Sequence, residues 1–432
     1  MTPRHPRLGE VSDEEALTRP ANLLPLFVAL GVIGAGDGLV LPYLVIYLHL
    51  ARGIALATVG LIVGFGAAAS FLVALASGAA LDRIRPIRVF QIGTAAAATG
   101  FFLLSFVSSA LAALLAVLTV YIGTAIQWPA QNTVVGANVT EKSAGRAFAG
   151  SFLALNAGLG IGALASALFV NLAHPASFSL AYRLDAAISL GGVVLAEAAF
   201  RKGRLSDRRE TRSDHSQRND IRGYGFLLRD RAMVVFVVID FFLLLAGYAQ
   251  LEGGWNAFAA IDVGVPARVV GLALAANTGV IVIAQIPMAR LVVRFRRSRA
   301  IAMAGTVWTI TWILSLVAVV IRRDGSVASW ILILAMGTFG FGETLYSPVV
   351  PAITNALAPE SLRGRYNAAA NSIWSLAAVV APPIAAFMIA TGNRYLWVSA
   401  VAATAVVVVV AVLLIMPRVL PRAVELPPSG HP

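Results

Sequence analysis

Apolar runs recur along the chain, each long enough to cross a bilayer as a helix, and short polar or charged breaks separate them. At about 20 residues per crossing, the pattern predicts roughly twelve transmembrane helices, at 22–48, 57–81, 88–108, 110–136, 147–171, 179–200, 232–259, 268–293, 300–321, 329–357, 366–390 and 395–416. Residues 1–20 are polar, with Pro3, Pro6, Asp13, Glu14 and Glu15, and contain no apolar region of the secretory-signal kind. Residues 201–231 form the one long hydrophilic break and hold ten Lys/Arg and five Asp/Glu, a solvated linker by composition. The expected organisation is a tail (1–20), a six-helix bundle (21–200), a linker (201–231), a second six-helix bundle (232–416) and a tail (417–432).

Composition agrees with an all-α integral membrane protein. Of 432 residues, 59% are hydrophobic and only 12% are charged, against about 25% charged in soluble domains. The net charge of +12 does not point to nucleic acid, because the arginines cluster between apolar runs and form no basic stripe interleaved with aromatics. Of the 33 lysines and arginines, six (Arg52, Arg183, Arg268, Arg322, Arg323 and Arg394) fall in breaks on one side, which leaves 27 on the other. That bias places both termini and the linker in the cytoplasm, in a multi-pass protein of the cytoplasmic (inner) membrane.

The same inventory removes several chemistries. No cysteine is present, so disulfides and thiolates are excluded. The two lysines, Lys142 and Lys202, belong to no phosphate-cradling loop, so neither ATP nor another nucleotide is expected. The histidines lack metal-ligand spacing. No metal, cofactor or catalytic residue is expected, and any work done would draw on a gradient.

The two halves repeat weakly. A shift of 211 carries Gly60-Leu61 onto Gly271-Leu272, and Arg83, Arg85 and Arg88 onto Arg294, Arg296 and Arg299. A shift of 219 carries Gly123, Pro129, Glu141 and Gly145-Arg146 onto Gly342, Pro348, Glu360 and Gly364-Arg365. The eight extra residues are expected in a loop near Arg322–Ser329. Two pseudo-symmetric six-helix bundles follow.

One charged break carries a recognisable signature. Gly78-Ala-Ala-Leu-Asp82-Arg83-Ile-Arg85-Pro86-Ile-Arg88 joins the second and third apolar runs. It resembles the major facilitator superfamily loop Gly-x-Leu-Ala-Asp-Arg-x-Gly-Arg-Arg through Gly78, Asp82 and Arg83. Arg85 replaces the second glycine, and Arg88 restores a basic residue one place late. Ala358-Pro-Glu-Ser-Leu-Arg-Gly-Arg365-Tyr366 is similar to that family's loop between spans ten and eleven. The resemblance, to the drug–proton antiporter-like twelve-span branch, covers residues 21–416. It implies a major facilitator fold and a cytoplasmic latch built from Gly78, Asp82 and Arg83 with Arg146 and Arg365. Two positions depart from the exchanger pattern: Thr119 stands four residues before Gly123 where an arginine is usual, and 156–162 lacks a Gly-Pro kink.

An acid at bilayer depth costs about 2.5–3.5 kcal/mol on insertion scales and marks a functional candidate. Asp37, Asp240 and Glu343 lie well inside apolar runs and are the proton-coupling candidates. Asp37 sits among Gly34, Gly36 and Gly38, which permit local unwinding and water access. Glu197 and Glu252 lie nearer run ends, where snorkelling accounts for them. Trp255 reads most simply as an interfacial anchor. Aromatic and amide residues suited to an amphipathic organic ligand are Tyr121, Gln127, Trp128, Gln131 and Asn132 in the fourth run, with Asn156, Tyr248, Asn277, Asn371 and Trp374 elsewhere. Gly60-x-x-x-Gly64 and Gly158-x-x-x-Gly162 have the spacing of close helix packing.

The function expected from these readings is a monomeric secondary transporter in the lipid bilayer, working by alternating access. Proton-coupled efflux of a small amphipathic compound leads, and proton-coupled uptake of a metabolite is the alternative. A membrane enzyme would gather His-rich or Asp-rich loops at one interface, and the loops here have none.

Overall fold

The computed structural model describes residues 23–136, 138, 141–202, 229–359 and 363–426; for 75–83, 141–146, 149, 252, 253, 363–365, 367, 368 and 371 it describes the backbone course alone. Twelve helices are long and apolar enough to cross a membrane. They are α1 (Leu24–Val40), α2 (Leu56–Arg83), α3 (Pro86–Leu104), α4 (Ala110–Gly136), α5 (Glu141–Phe169) and α6 (Ala176–Arg201). The second set is α7 (Arg231–Ala246), α8 (Ala267–Val292), α9 (Arg297–Val320), α10 (Gly325–Tyr346), α11 (Arg363–Ala390) and α12 (Leu396–Val419). Tight 3-10 and π-type turns carry α1 on to Ala51 and α7 on to Val263, and Val349–Leu357 continues α10 beyond Pro348. A short helix, α13 (Arg422–Glu425), follows α12.

Local chemistry sets several boundaries. Pro86 opens α3 at a position where a helix needs no backbone donor. Asp230 caps α7, its Oδ1 accepting from the amides of Ala232 (3.0 Å) and Met233 (3.2 Å), and its Oδ2 accepts from the Tyr366 hydroxyl at 2.8 Å, tying α7 to α11. Asp324 caps α10 through the Val327 amide.

Helix pairing is two-fold. In the first half α1 packs on α5 and α6, α4 on α2 and α3, and α3 on α6; the second half repeats each pair as α7 on α11 and α12, α10 on α8 and α9, and α9 on α12. Between halves, α2 meets α11 and α5 meets α8, which are the same pair under the repeat. The repeat's eight additional residues do not make a longer loop. Five lengthen α9 relative to α3, four start α10 earlier than α4, and the connecting loop is one residue shorter. The insertion is therefore helical.

In lipid, helices gain little from hydrophobic association and rely on close backbone contact. The α1–α5 pair shows it: a Cβ on Gly158 or Gly162 would overlap the carbonyl oxygens of Gly31 and Ala35. The repeat-related glycines lie between the halves. Gly60 faces Pro382, Pro383 and Ala386 of α11, and Gly271 faces Ala163, Ala167 and the Tyr43 hydroxyl.

The contacts of Gly60 and Gly271 between the halves sit toward the end of the bundle that carries loops 52–55 and 391–395. There the buried apolar core is continuous through both halves. At the opposite end the first half keeps a separate core, with Leu26, Leu30, Ile87, Phe90, Val134 and Ala196 among its members. Among the described residues, the halves thus share a core at one end and keep separate cores at the other. Arg52 reinforces the shared-core end of the first half, donating to the Tyr47 hydroxyl (2.8 Å), Ser179 Oγ (3.0 Å) and the Ser105 carbonyl (3.2 Å).

Gly162→Leu is expected to force α1 from α5 and cost upwards of about 1–3 kcal/mol, whereas Gly191→Ala, at a position with open space around it, should be neutral or gain about 0.5–1 kcal/mol; thermal unfolding of the purified proteins compares them. A pH test sits beyond the α7 span at Asp262, which is buried with Oδ2 lacking a partner among the described residues. Burial pushes its carboxyl up to about 6, against a smaller opposing pull from Arg394. A raised acid stabilises the fold below its ordinary pKa and loses that contribution as pH rises through about 6. Asp262→Asn should therefore raise stability at neutral pH by on the order of 1–3 kcal/mol, and the gain should vanish below pH about 4.

Candidate functional site

Two of the three expected acids meet in one network in the second half. α7 breaks at Gly247 (φ −115°, ψ −111°) and resumes at Tyr248. A Cβ on Gly247 would lie 2.6 Å from the Trp308 ring, so the break needs a residue without one. It turns Tyr248 toward α9 and α10, where its ring lies 5.4 Å from Trp308 and 5.8 Å from Tyr346. Trp308 in turn stacks on Phe339 at 5.3 Å and donates its indole N–H to the Phe339 carbonyl.

The acids flank this aromatic cluster. The Tyr346 hydroxyl donates to Asp240 Oδ1 at 2.7 Å. Asn277 Nδ2 donates to Glu343 Oε1 at 2.8 Å, and the Tyr248 hydroxyl also bonds Glu343. Gly340 lets α8 approach, since a Cβ there would sit 3.0 Å from Asn277 Nδ2. Both carboxyls are buried. Among the described residues the ion pairs are those of Glu197 with Arg88 and Arg201, so neither acid faces a cation. A carboxylate held by neutral hydroxyl and amide donors can accept a proton without breaking a salt bridge.

The third acid, Asp37, is half-buried on α1. Its partner was not foreseen: Asp185 on α6 is fully buried, accepts from Ser189 Oγ at 3.1 Å and interacts electrostatically with Asp37. Asp185 lies inside an apolar run as the other candidates do. Its neighbour Arg183, counted as an outer-loop cation, made that stretch read as a span end. In the structure Arg183 is on α6 and turns to Ser105 Oγ and the Phe106 ring.

The cavity candidates divide by helix face. On α4, Gln127 and Gln131 are buried, Gln127 against Gly93 of α3, whereas Tyr121 is half-buried against Gly66 and Trp128 (45% exposed) and Asn132 are exposed. Gln131 Oε1 has no partner among the described residues. Asn156 is half-buried and bonds its own helix at Phe152, and Trp374 is 47% exposed. The Asn371 side chain lies outside the described residues, as do those of the latch residues Gly78, Asp82, Arg83, Arg146 and Arg365. The backbone does show α2 running to Arg83, so Asp82 and Arg83 form the last turn of a helix.

Two bystanders resolve as structural. Glu197 clamps α3 to α6, accepting from Gln91 and Arg201 at 2.7 Å each. Trp255 is no interfacial anchor: it is buried, with its indole N–H toward Ser315 Oγ at 3.4 Å.

Fold and site define a multi-pass helical membrane protein of two like halves with acids buried between its helices. A family model described as Major Facilitator Superfamily matches residues 26–260 and again 241–431. The chain belongs to that superfamily. No curated protein sequence matches it significantly. Among solved structures it is similar to a POT family transporter in complex with 5-aminolevulinic acid (TM-score 0.75, 16% identity, 93% of this chain and 97% of that one). It is also similar to the nucleoside transporter NupG (TM-score 0.73, 14% identity, 90% and 98%) and a D-xylose-proton symporter (TM-score 0.73, 12% identity, 93% and 99%). At these identities the likeness is one of fold.

Asn277→Ala leaves Glu343 Oε1 without its amide and should cost about 1–3 kcal/mol of stability. In a double-mutant cycle with Glu343→Gln the two changes should couple by about 0.5–3 kcal/mol, read from unfolding midpoints. Additive effects would show that the bond carries no energy.

Proposed function

We propose that the chain is a secondary active transporter that couples export of a small amphipathic compound to proton entry by alternating access. The observation that carries this reading is the pair of buried acids, Asp240 and Glu343, met among the described residues by neutral donors and no cation. Such groups can change protonation as the site is exposed to one side and then the other. Residues 21–200 would rock against 232–416. The arginine-rich end would face the cytoplasm of an inner-membrane protein with both termini inside, so the shared-core end described above would be the outer one.

Asp37 joins the two network acids as a coupling residue in this reading. Tyr121, Gln127, Trp128, Gln131, Asn132, Asn156, Tyr248, Asn277, Asn371 and Trp374 contribute to the substrate path. Gly78, Asp82, Arg83, Arg146 and Arg365 act as the latch that holds the cytoplasmic end shut in the opposite state. A monomer suffices.

Proton-coupled uptake is the second reading; the structural likeness to a chain described as a D-xylose-proton symporter favours it. A growth-inhibition screen separates the two, since cells lacking the gene become sensitive to an exported compound.

The cysteine-free chain permits a direct test of the mechanism. A Cβ on Gly160 would lie 3.3 Å from Thr278 Cβ across the halves, close to the ~3.5–4.5 Å a disulfide needs. Gly160→Cys with Thr278→Cys is expected to cross-link on oxidation and to stop proton-gradient-driven flux of the screened compound in proteoliposomes, with recovery on reduction. Glu343→Gln should leave binding measurable and abolish the response to ΔpH. Undiminished flux in the oxidised double variant would remove the alternating-access reading.

A further inference from the structure

The first half contains a buried acid that the network above does not use. Asp185 is 0% exposed and lies nine residues into α6, about 14 Å along the helix at 1.5 Å per residue. One carboxylate oxygen, Oδ1, accepts from Ser189 Oγ; the other, Oδ2, has no partner among the described residues. One turn earlier on the same face, the buried Tyr182 hydroxyl is also without a partner. Both groups interact electrostatically. The carboxyl occupies a notch in α1 that exists because residue 36 is glycine, since a Cβ there would overlap Asp185 Oδ1 and sit 3.2 Å from Ser189 Oγ.

Among the described residues, the surroundings of Asp185 supply no cation. From α1 the titratable groups facing this part of α6 are Asp37 and Tyr47, whose ring lies 4.9 Å from that of Tyr182. The Tyr47 hydroxyl already donates to the Leu104 carbonyl at 2.6 Å. From α3 the one charged residue is Arg88, engaged with Gln91 and Glu197 at the far end of the pair. On α6 itself Arg183 is turned to Ser105 and Phe106. Two carboxylates without a counter-ion cannot both stay ionised at this depth, because charge repulsion adds to lost hydration. A single proton on the pair resolves the conflict by removing one of the two charges.

We propose that Asp185 and Asp37 form a second proton-binding site, confined to the first half, in which Asp185 Oδ2 holds the proton. Its part in transport rests on the proton-coupled reading above; its protonation does not. The pair takes up one proton from water and releases it as one unit, and Asp37, the more accessible member, exchanges it with the aqueous side. Gly36 is a positioning residue for the pair.

The test is infrared difference spectroscopy of the full-length protein in phospholipid vesicles, with hydrogen–deuterium exchange to mark protonated carboxyls. Asp185→Asn is expected to lose one protonated-carboxyl band present in the wild type at neutral pH. Ser189→Ala and Tyr182→Phe, which keep the acid and change its neighbours, should each shift that band. Wild-type unfolding should occur at lower temperature as pH rises, and Asp185→Asn should flatten the slope. A carboxyl region unchanged in Asp185→Asn overturns the proposal; should that variant not fold, a band unmoved in both Ser189→Ala and Tyr182→Phe overturns it equally. Failure of the transport reading shows elsewhere, as ΔpH-driven flux that survives Glu343→Gln while the Asp185 band remains assigned.

Discussion

The structure depends on how closely helix backbones approach one another in a medium that offers little hydrophobic reward for association. Glycine and alanine supply that closeness in two different places. Within the first half, Gly31, Ala35, Gly158 and Gly162 seat α1 on α5 carbonyl against Cα, a contact with no slack. Between halves, Gly60 and Gly271 hold the corresponding positions in the α2–α11 and α5–α8 contacts. The first kind of contact locks α1 to α5 within the first half. The second makes a seam that small, smooth surfaces can leave and rejoin, which suits a boundary that must open.

That seam is one-sided, and the asymmetry gives the buried acids their setting. Among the described residues the common core joins the halves at one end, and the first half keeps its own core at the other. In the second half, the acids are met by donors from neighbouring helices: Asn277 of α8 for Glu343 and Tyr346 of α10 for Asp240 of α7. A movement of α8 against α10 would have to break the first bond, and a movement of α7 against α10 the second. Protonation state and helix position are thus coupled through single hydrogen bonds, each worth little beside the packing but decisive for the charge.

The sequence announced the spans, the repeat and most of the acids because each is a local property. Runs of apolar residues mark helices whatever their neighbours, and Asp37, Asp240 and Glu343 stood out because nothing charged lay near them in sequence. Pairings were less legible. These helices are apolar nearly all round, so no polar stripe reveals which face meets which partner. Asn277 and Glu343 were both recognised, but as separate residues 66 apart with nothing to join them. Gln127 and Gln131 looked like Trp128 and Asn132 in composition, and only helix rotation divides buried amides from exposed ones. Asp185 was hidden by Arg183, two residues away in sequence but turned to a different surface. The eight-residue insertion looked like a loop because Arg322 and Arg323 are polar, yet it extends two helices on either side of a four-residue turn.

The two halves, alike in helix pairing, have diverged in how they treat buried charge. The second half gives Asp240 and Glu343 each a neutral donor, beside the cluster of Trp308, Phe339, Tyr248 and Tyr346. The first half leaves one oxygen of Asp185 and the hydroxyl of Tyr182 without partners among the described residues and places a second carboxyl near Asp185. Asp240 and Glu343 are thus met as acceptors, whereas Asp185 has one oxygen unmet among the described residues and a second carboxyl for a neighbour. Because the fold is duplicated, neither arrangement is forced by the backbone. Each reflects side chains chosen at positions where the architecture would accept others, so two unlike settings for buried acids stand within one pseudo-symmetric frame.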